Sequence, residues 1–128
     1  MSNDKTRYGM LKRHKLRPLF KFWIELEGKR VLGKGGAAIL EQIKKEESIS
    51  KAAEKLGMSY RYVWNYLDEV KNVIGEPVIE TFKGGRSGGG GAKLTEMGKC
   101  LLSEYNRIRR DLKSFISSES IGGEICED

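Results

Sequence analysis

The stretch SYRYVWN, residues 59–65, places several kinds of hydrogen-bonding side chain within seven positions. Arg61 has a planar guanidinium, which can bond two acceptors at once on a guanine edge or a phosphate. Asn65 carries a donor and an acceptor, which match the acceptor and the donor on an adenine edge. Tyr60 and Tyr62 add phenols that can bond phosphates or lie on sugars and thymine methyl groups. Together these side chains favour recognition of bases and phosphates.

A second candidate is the stretch KGGRSGGGGAKLT, residues 83–95, in which six of thirteen residues are glycine. Three interpretations are open: a cradle for a nucleotide phosphate, a linker between domains, or a surface that grips a large anion. A phosphate-binding loop ends in glycine, lysine and a serine or threonine, whereas Gly90 is followed by Gly91. A nucleotide site is therefore not expected, and a flexible linker stays as an alternative.

The sequence offers little for catalysis or metal binding. Asp68 and Glu69 have no partner histidine on their predicted helix, and the one histidine of the chain is His14. The two cysteines, Cys100 and Cys126, fit no metal-binding spacing. We therefore expect neither an enzyme nor a cofactor. Packing is the expected role of Cys100, and a redox switch through the two cysteines is the alternative.

Composition and charge describe a soluble, folded chain with a polyanionic partner. Hydrophobic residues make up 38% and charged residues 33%, and the net charge is +6. Residues 1–17 carry six basic side chains and one acidic one, while residues 117–128 carry four acidic side chains and no basic one. No apolar run reaches the ~18 residues of a membrane span. We expect a cytoplasmic, nucleoid-associated protein in a reducing compartment.

Two short helices must position the first candidate set. Ser48 is the predicted N-cap of ISKAAEKLG, and Gly57 is the predicted end of that helix. Ser59 is the predicted N-cap of YRYVWNYLDEVKNVI, whose buried stripe runs from Val63 to Ile74 and includes Trp64, while Tyr66 is placed outward. A helix, a short turn and a second helix form a helix-turn-helix unit, whose second helix enters the major groove in DNA-binding proteins. The alternative is a helix pair that only packs, as in many helical proteins that bind no DNA.

Strands and two further helices complete the prediction. FKFWIEL alternates from Phe20 to Leu26 and predicts a strand, followed by a Gly28-Lys29 turn, a strand at 30–32 and a loosely bounded helix in KGGAAILEQIKKEES. VIETF and AKLT predict strands on either side of the glycine stretch, which makes that stretch the tip of a hairpin, or wing. Lys83, Arg86 and Lys93 would then lie at its tip and edge, over the DNA backbone or minor groove.

The last predicted helix is capped by Thr95 and spans residues 95–116. Its apolar positions approach the 3.5-residue repeat of a coiled-coil seam, and they are Met97, Leu101, Tyr105, Ile108, Leu112 and Phe115. The expected organisation is a flexible basic arm over 1–17, a domain over 18–116 and an acidic tail over 117–128. The expected fold class is mainly α with a small β wing (α+β), a winged helix-turn-helix with a C-terminal dimerisation helix.

The runs SISKAAEKLGMSYRYVW and TFKGGRSGGGGAKLTEMG resemble the N-terminal DNA-binding domain of ModE-type molybdate-responsive regulators, and more distantly that of LysR-type regulators. The resemblance covers roughly residues 20–116. It implies a winged helix-turn-helix that dimerises through its last helix. It places Ser59, Tyr60, Arg61 and Tyr62 in the groove and Ser48 near a phosphate.

Two departures from the family modify these expectations. Family members continue into a molybdate-binding region, whereas this sequence ends at Asp128, so direct molybdate sensing is not expected and a separate effector-binding protein is a possible partner. The family often has arginine where this chain has Thr81, so one phosphate contact is expected either to be lost or to move to Lys83. We expect a sequence-specific transcriptional regulator that binds double-stranded DNA as a homodimer. The alternative is a non-specific architectural protein of the chromosome.

Overall fold

The computed structural model describes residues 17–84 and 90–118. Contacts divide the chain into two compact units, one of residues 22–107 and one of residues 1–21 with 108–128. Apart from Arg17 the predicted basic arm lies outside the described residues, and so does the predicted acidic tail beyond Ser118. The hydrophobic core described below belongs to the unit of residues 22–107.

The N-terminal strands form a short antiparallel hairpin. Strand β1 (Ile24–Leu26) pairs with β2 (Lys29–Leu32), and Glu27 and Gly28 have positive φ angles of 50° and 83° in the turn. The predicted first strand from Phe20 is too long, because β2 ends at Leu32 and earlier residues have no strand to pair with. The turn also lies one residue before its predicted position.

Three helices follow, and their apolar sides build the core. They are α1 (Lys34–Glu46), α2 (Ile49–Leu56) and α3 (Tyr60–Ile74). The helix side chains that are at least 95% shielded from solvent are Ile39, Leu40, Ile43, Ile49, Ala52, Ala53, Val63, Leu67 and Val70. The two alanines let the neighbouring helices approach α2 closely, since they add little bulk.

The glycine stretch lies between two paired strands, as predicted. Strand β3 (Ile79–Phe82) pairs antiparallel with β4 (Gly91–Leu94), with Glu80 opposite Lys93. The Ala92 amide donates a hydrogen bond of 3.0 Å to the Glu47 carbonyl, which ties β4 of this wing to the end of α1. A strand pair that is bonded to the end of α1 through β4 is a wing and not a linker.

The last helix, α4 (Glu96–Ser118), begins at a tightly packed joint. The Thr95 hydroxyl donates to the Pro77 carbonyl at 2.8 Å and accepts from the Gly98 amide at 3.1 Å. A Cβ at Gly98 would collide with the Val78 carbonyl, so only glycine fits there. Among the described residues, no helix is long and apolar enough to cross a membrane. The described elements form the predicted α+β winged helix-turn-helix.

Candidate nucleic-acid interface

The two serines predicted to contact DNA are both helix N-caps. Ser48 Oγ accepts from the Lys51 amide at 3.1 Å, and Ser59 Oγ accepts from the Tyr62 amide at 3.0 Å. Gly57 ends α2 in the left-handed conformation, with φ 68°, so that α3 starts three residues later. The caps therefore fix where the first turns of α2 and α3 begin, and the free amides of a first turn favour anions.

The start of α3 presents polar side chains on one side and is anchored on the other. Arg61 and Asn65 are exposed, and Tyr60 and Tyr62 are 51% and 57% exposed. On the opposite side of the helix, Val63 is fully buried in the core. The exposed side chains thus stand on a helix whose position is set by packing.

Trp64 was predicted to lie in the core, and this prediction is wrong. The side chain is 36% exposed, and its ring meets that of Tyr60 edge-on, with centroids 6.4 Å apart. On a helix of 3.6 residues per turn, Trp64 lies about 60° around the axis from Leu67, beyond the position of Tyr60. The buried arc of α3 ends before it reaches this residue. Periodicity found the core stripe but overestimated its width.

Tyr66 was placed on the outward face, and this prediction is also wrong. The ring is half-buried, and its hydroxyl donates to the Val31 carbonyl of β2 at 2.8 Å. Burial raises the pKa of the Tyr66 phenol above its ordinary value, although the nearby Arg30 partly opposes the shift. A Cβ at Gly36 would collide with this hydroxyl, so the glycine makes room for it. Tyr66 therefore fastens α3 to β2.

The wing lysines have different surroundings. Lys83 is exposed directly after β3. Lys93 Nζ lies 3.5 Å from a carboxylate oxygen of Glu80 on the facing strand, and both side chains are more than half exposed. Such an exposed pair is weak and competes with any phosphate for the lysine. Arg86, the third predicted wing contact, lies outside the described residues.

The structure brings some of the predicted contacts together. Because the Ala92 amide bonds to the Glu47 carbonyl, strand β4 of the wing lies next to Ser48, the cap of α2. Helices α2 and α3 pack on each other, so the start of α3 belongs to the same packed unit. Ser48, Ser59, the exposed side of α3 and the wing therefore belong to one body.

The predicted dimer seam follows α4 through both units. In the unit of residues 22–107, Met97 and Leu101 are partly buried on the core, while Tyr105 is 4% exposed and stacks on Phe22 with centroids 4.5 Å apart. In the other unit, Ile108 and Leu112 are half-buried and Phe115 is 62% exposed. Tyr105 therefore serves the core of its own chain and has little surface left for a partner. The dimer contact stays a prediction.

A fold of this class is also what the comparison with protein families finds. Residues 37–99 match the family described as bacterial regulatory helix-turn-helix protein, lysR family. The matched range runs from α1 through α2, α3 and the wing into the first turn of α4. These residues are therefore similar to the helix-turn-helix domain of this regulator family. The match supports the prediction of a helix-turn-helix domain of the regulator type.

Individual relatives bear names of the predicted type. The molybdenum-pterin-binding protein MopB of Rhodobacter capsulatus is 35% identical over 95 residues, which are 74% of this chain and 34% of MopB. The DNA-binding transcriptional dual regulator ModE of Escherichia coli K12 is 34% identical over 71 residues, 56% of this chain and 27% of that protein. The chain thus spans about a third or less of the length of these relatives.

Among solved structures, a BenM_DBD/catB site 1 DNA complex aligns with 65% of this chain and 86% of the other chain. The sequence identity is 18% and the TM-score is 0.49. A similarity at this level carries no argument about the present chain.

Proposed function

We propose that the chain is a sequence-specific, DNA-binding transcriptional regulator that acts as a homodimer, with α3 in the major groove and the wing on the backbone or minor groove. The observation that carries the proposal is the two-sided start of α3. Arg61 and Asn65 are exposed on one side, while Val63 is buried on the other. Guanidinium and amide groups on such a helix can distinguish guanine and adenine by their edges.

The relatives support the same function. A protein named a DNA-binding transcriptional dual regulator is 34% identical to this chain over 71 residues. The matching family is described as regulatory helix-turn-helix proteins, and its match includes all of α3 and the described wing strands. In helix-turn-helix proteins the second helix contacts base edges with its N-terminal residues. Here those residues are Tyr60, Arg61 and Tyr62.

Phosphate contacts would fix the register of this helix on the duplex. Ser48 and Ser59 cap helices whose first-turn amides favour an anion, and each serine hydroxyl can also donate to a phosphate oxygen. Lys83 adds positive charge after β3, and Lys93 can add more if it exchanges its partner Glu80 for a phosphate. These contacts supply affinity and depend on salt.

The apolar face of α4 supports the homodimer part of this proposal. Phe115 is 62% exposed, which is a large apolar surface for a side chain on a long helix. Ile108 and Leu112 lie on the same face at helical spacing. A dimer built on this face places two copies of α3 on half-sites about one helical turn apart, ~34 Å, or a multiple of it.

Selection of bound duplexes from a random pool, followed by footprinting, tests the proposal. A discrete protected site with two related half-sites is the expected result, because a symmetric dimer reads a symmetric sequence. Sedimentation of the free protein should show two copies per particle. Even coverage of any duplex, with no enriched sequence, would contradict the proposal and favour the architectural alternative.

A further inference from the structure

The exposed side of α3 is not purely polar. Trp64 is 36% exposed and Tyr60 is 51% exposed, and both lie beside the polar side chains of Arg61 and Asn65. Packing leaves a large apolar ring partly exposed to solvent at the start of this helix, and such exposure is typical of a binding surface. The indole of Trp64 carries no charge, so it does not strengthen the electrostatic contacts to phosphates.

Geometry aims this ring towards the start of the helix. Side chains on a helix tilt towards its N-terminus, so Trp64 reaches over the first turn of α3. There it meets Tyr60 edge-on, with ring centroids 6.4 Å apart. Edge-to-face rings attract each other, and this contact restricts where the indole can turn. The pair therefore presents a partly fixed apolar surface next to Arg61.

The major groove contains an apolar group that matches this surface. Thymine displays its C5 methyl group there, and apolar side chains in the groove contact it. The other groups on base edges in the groove are hydrogen-bond donors and acceptors, which an indole face does not satisfy. An indole beside base-reading side chains is thus suited to thymine.

We propose that Trp64, positioned by Tyr60, packs on the C5 methyl group of a thymine beside the base read by Arg61 or Asn65, and so determines specificity for that base pair. The inference rests on the proposed function, because it places α3 in the major groove. It adds a contact between Trp64 and a thymine to the hydrogen bonds that Arg61 and Asn65 are proposed to make. Tyr60 acts here through Trp64 as a positioning residue.

Replacing thymine by uracil tests this directly, because uracil lacks only the methyl group and keeps the same hydrogen-bonding edges. Each thymine of the selected site is replaced in turn, and the dissociation constant is measured for each duplex. At one thymine per half-site, binding should weaken about fourfold per half-site, which corresponds to ~0.8 kcal/mol for one buried methyl group. If no uracil duplex binds more weakly than the parent duplex, the inference is wrong.

Variants then assign the effect to the indole. Trp64→Ala should bind the parent duplex more weakly and should no longer distinguish it from the critical uracil duplex. Trp23→Ala removes another indole, 45% exposed and outside α3, and should keep the full uracil effect. Thermal unfolding checks that both variants fold, and Trp64→Gln replaces Trp64→Ala if the latter does not. An undiminished uracil effect in the Trp64 variant would overturn the assignment.

The two levels of the proposal fail differently. If the selection yields no preferred duplex at all, the proposed function fails and the thymine contact fails with it. If a preferred duplex is found and every thymine tolerates uracil, the regulator stands and only the role of Trp64 is wrong.

Discussion

Helix α3 and the wing present their polar side chains in different ways. In α3 the exposed Arg61 and Asn65 stand on a helix that Val63 anchors in the core. In the wing Lys93 is paired with Glu80 on the facing strand, and the described hairpin is bonded to the end of α1 through Ala92. A rigid support suits side chains that must meet particular base edges, since a small displacement breaks a bidentate contact. A charged strand pair suits phosphates, which tolerate more variation in position.

The comparison separates specificity from affinity. Changes in α3 should alter which sequence is bound, whereas changes in the wing should alter how tightly any duplex is bound and how strongly salt weakens it. Variants in each of the two regions test this difference.

Removing the anchor of α3 should have the largest effect. Leu67→Ala deletes a side chain that is 2% exposed and should lower the free energy of unfolding by about 2–5 kcal/mol. Denaturant unfolding measures it. Asp68→Ala, at the exposed neighbouring position, is the matched control and should change stability by less than about 0.5 kcal/mol. Equal effects at both positions would mean that α3 is not anchored in the way described.

Loosening the joint between the wing and α4 comes next. Thr95→Ala removes a helix cap and the hydrogen bond to the Pro77 carbonyl, and should cost about 1–2 kcal/mol of stability. Thr95→Ser keeps the hydroxyl and should recover most of the loss. The base preference of the folded variant should be unchanged, since α3 is untouched. A changed preference would show that the wing joint also positions α3.

The phenol of Tyr66 should make stability depend on high pH. Tyr66→Phe loses the hydrogen bond to Val31 and should cost about 0.5–1.5 kcal/mol at neutral pH. Because burial raises the folded-state pKa of Tyr66, its contribution is complete below the ordinary tyrosine pKa of about 10 and is lost as pH rises above it.

Unfolding curves across that range check the sign. The unmutated chain should lose stability above pH 10 more steeply than Tyr66→Phe does. Tyr60→Phe, which changes an exposed tyrosine on the same helix, should follow the unmutated chain. Parallel curves for Tyr66→Phe and the unmutated chain would contradict the role given to this hydroxyl.

The smallest effect is expected from the ion pair of the wing. Glu80→Gln leaves Lys93 without its partner and should strengthen binding to every duplex about equally, with a salt slope steeper by at most about one unit. Glu96→Gln, which removes the partner of Lys99 on α4, is the control and should leave the slope unchanged. A Glu80→Gln variant that strengthens only the selected site would contradict a backbone role for the wing.

Local signals predicted the helix-turn-helix and the wing well. Ser48, Gly57 and Ser59 are turn and cap residues whose preferences act over a few positions, and the structure confirms all three. The strands on either side of the glycine stretch are also confirmed. Their signal is local too, since β-branched and alternating residues border the stretch. The last helix was also predicted, but it spans Glu96–Ser118 and not residues 95–116.

The failures involve contacts between distant residues. Tyr66 turns inward because Gly36, thirty positions earlier in the sequence, leaves room for its hydroxyl. The strand predicted from Phe20 shortens because its partner ends where α1 begins. Trp64 has a large apolar side chain of the kind that usually lies in a core, and only the packed structure shows that the core ends before it. The DNA contacts and the dimer seam depend on other molecules, so sequence and fold leave them as predictions.

The most direct test of the account compares Arg61→Ala with Lys83→Ala on the selected site and on all its single-base variants, over a range of salt concentrations. Arg61→Ala should weaken the selected site by about 1–3 kcal/mol and relax the preference at one base pair per half-site. Lys83→Ala should weaken all duplexes alike and reduce the salt slope by about one unit. If Arg61→Ala left the base preference unchanged, α3 would not be the reading helix and the central claim would be wrong.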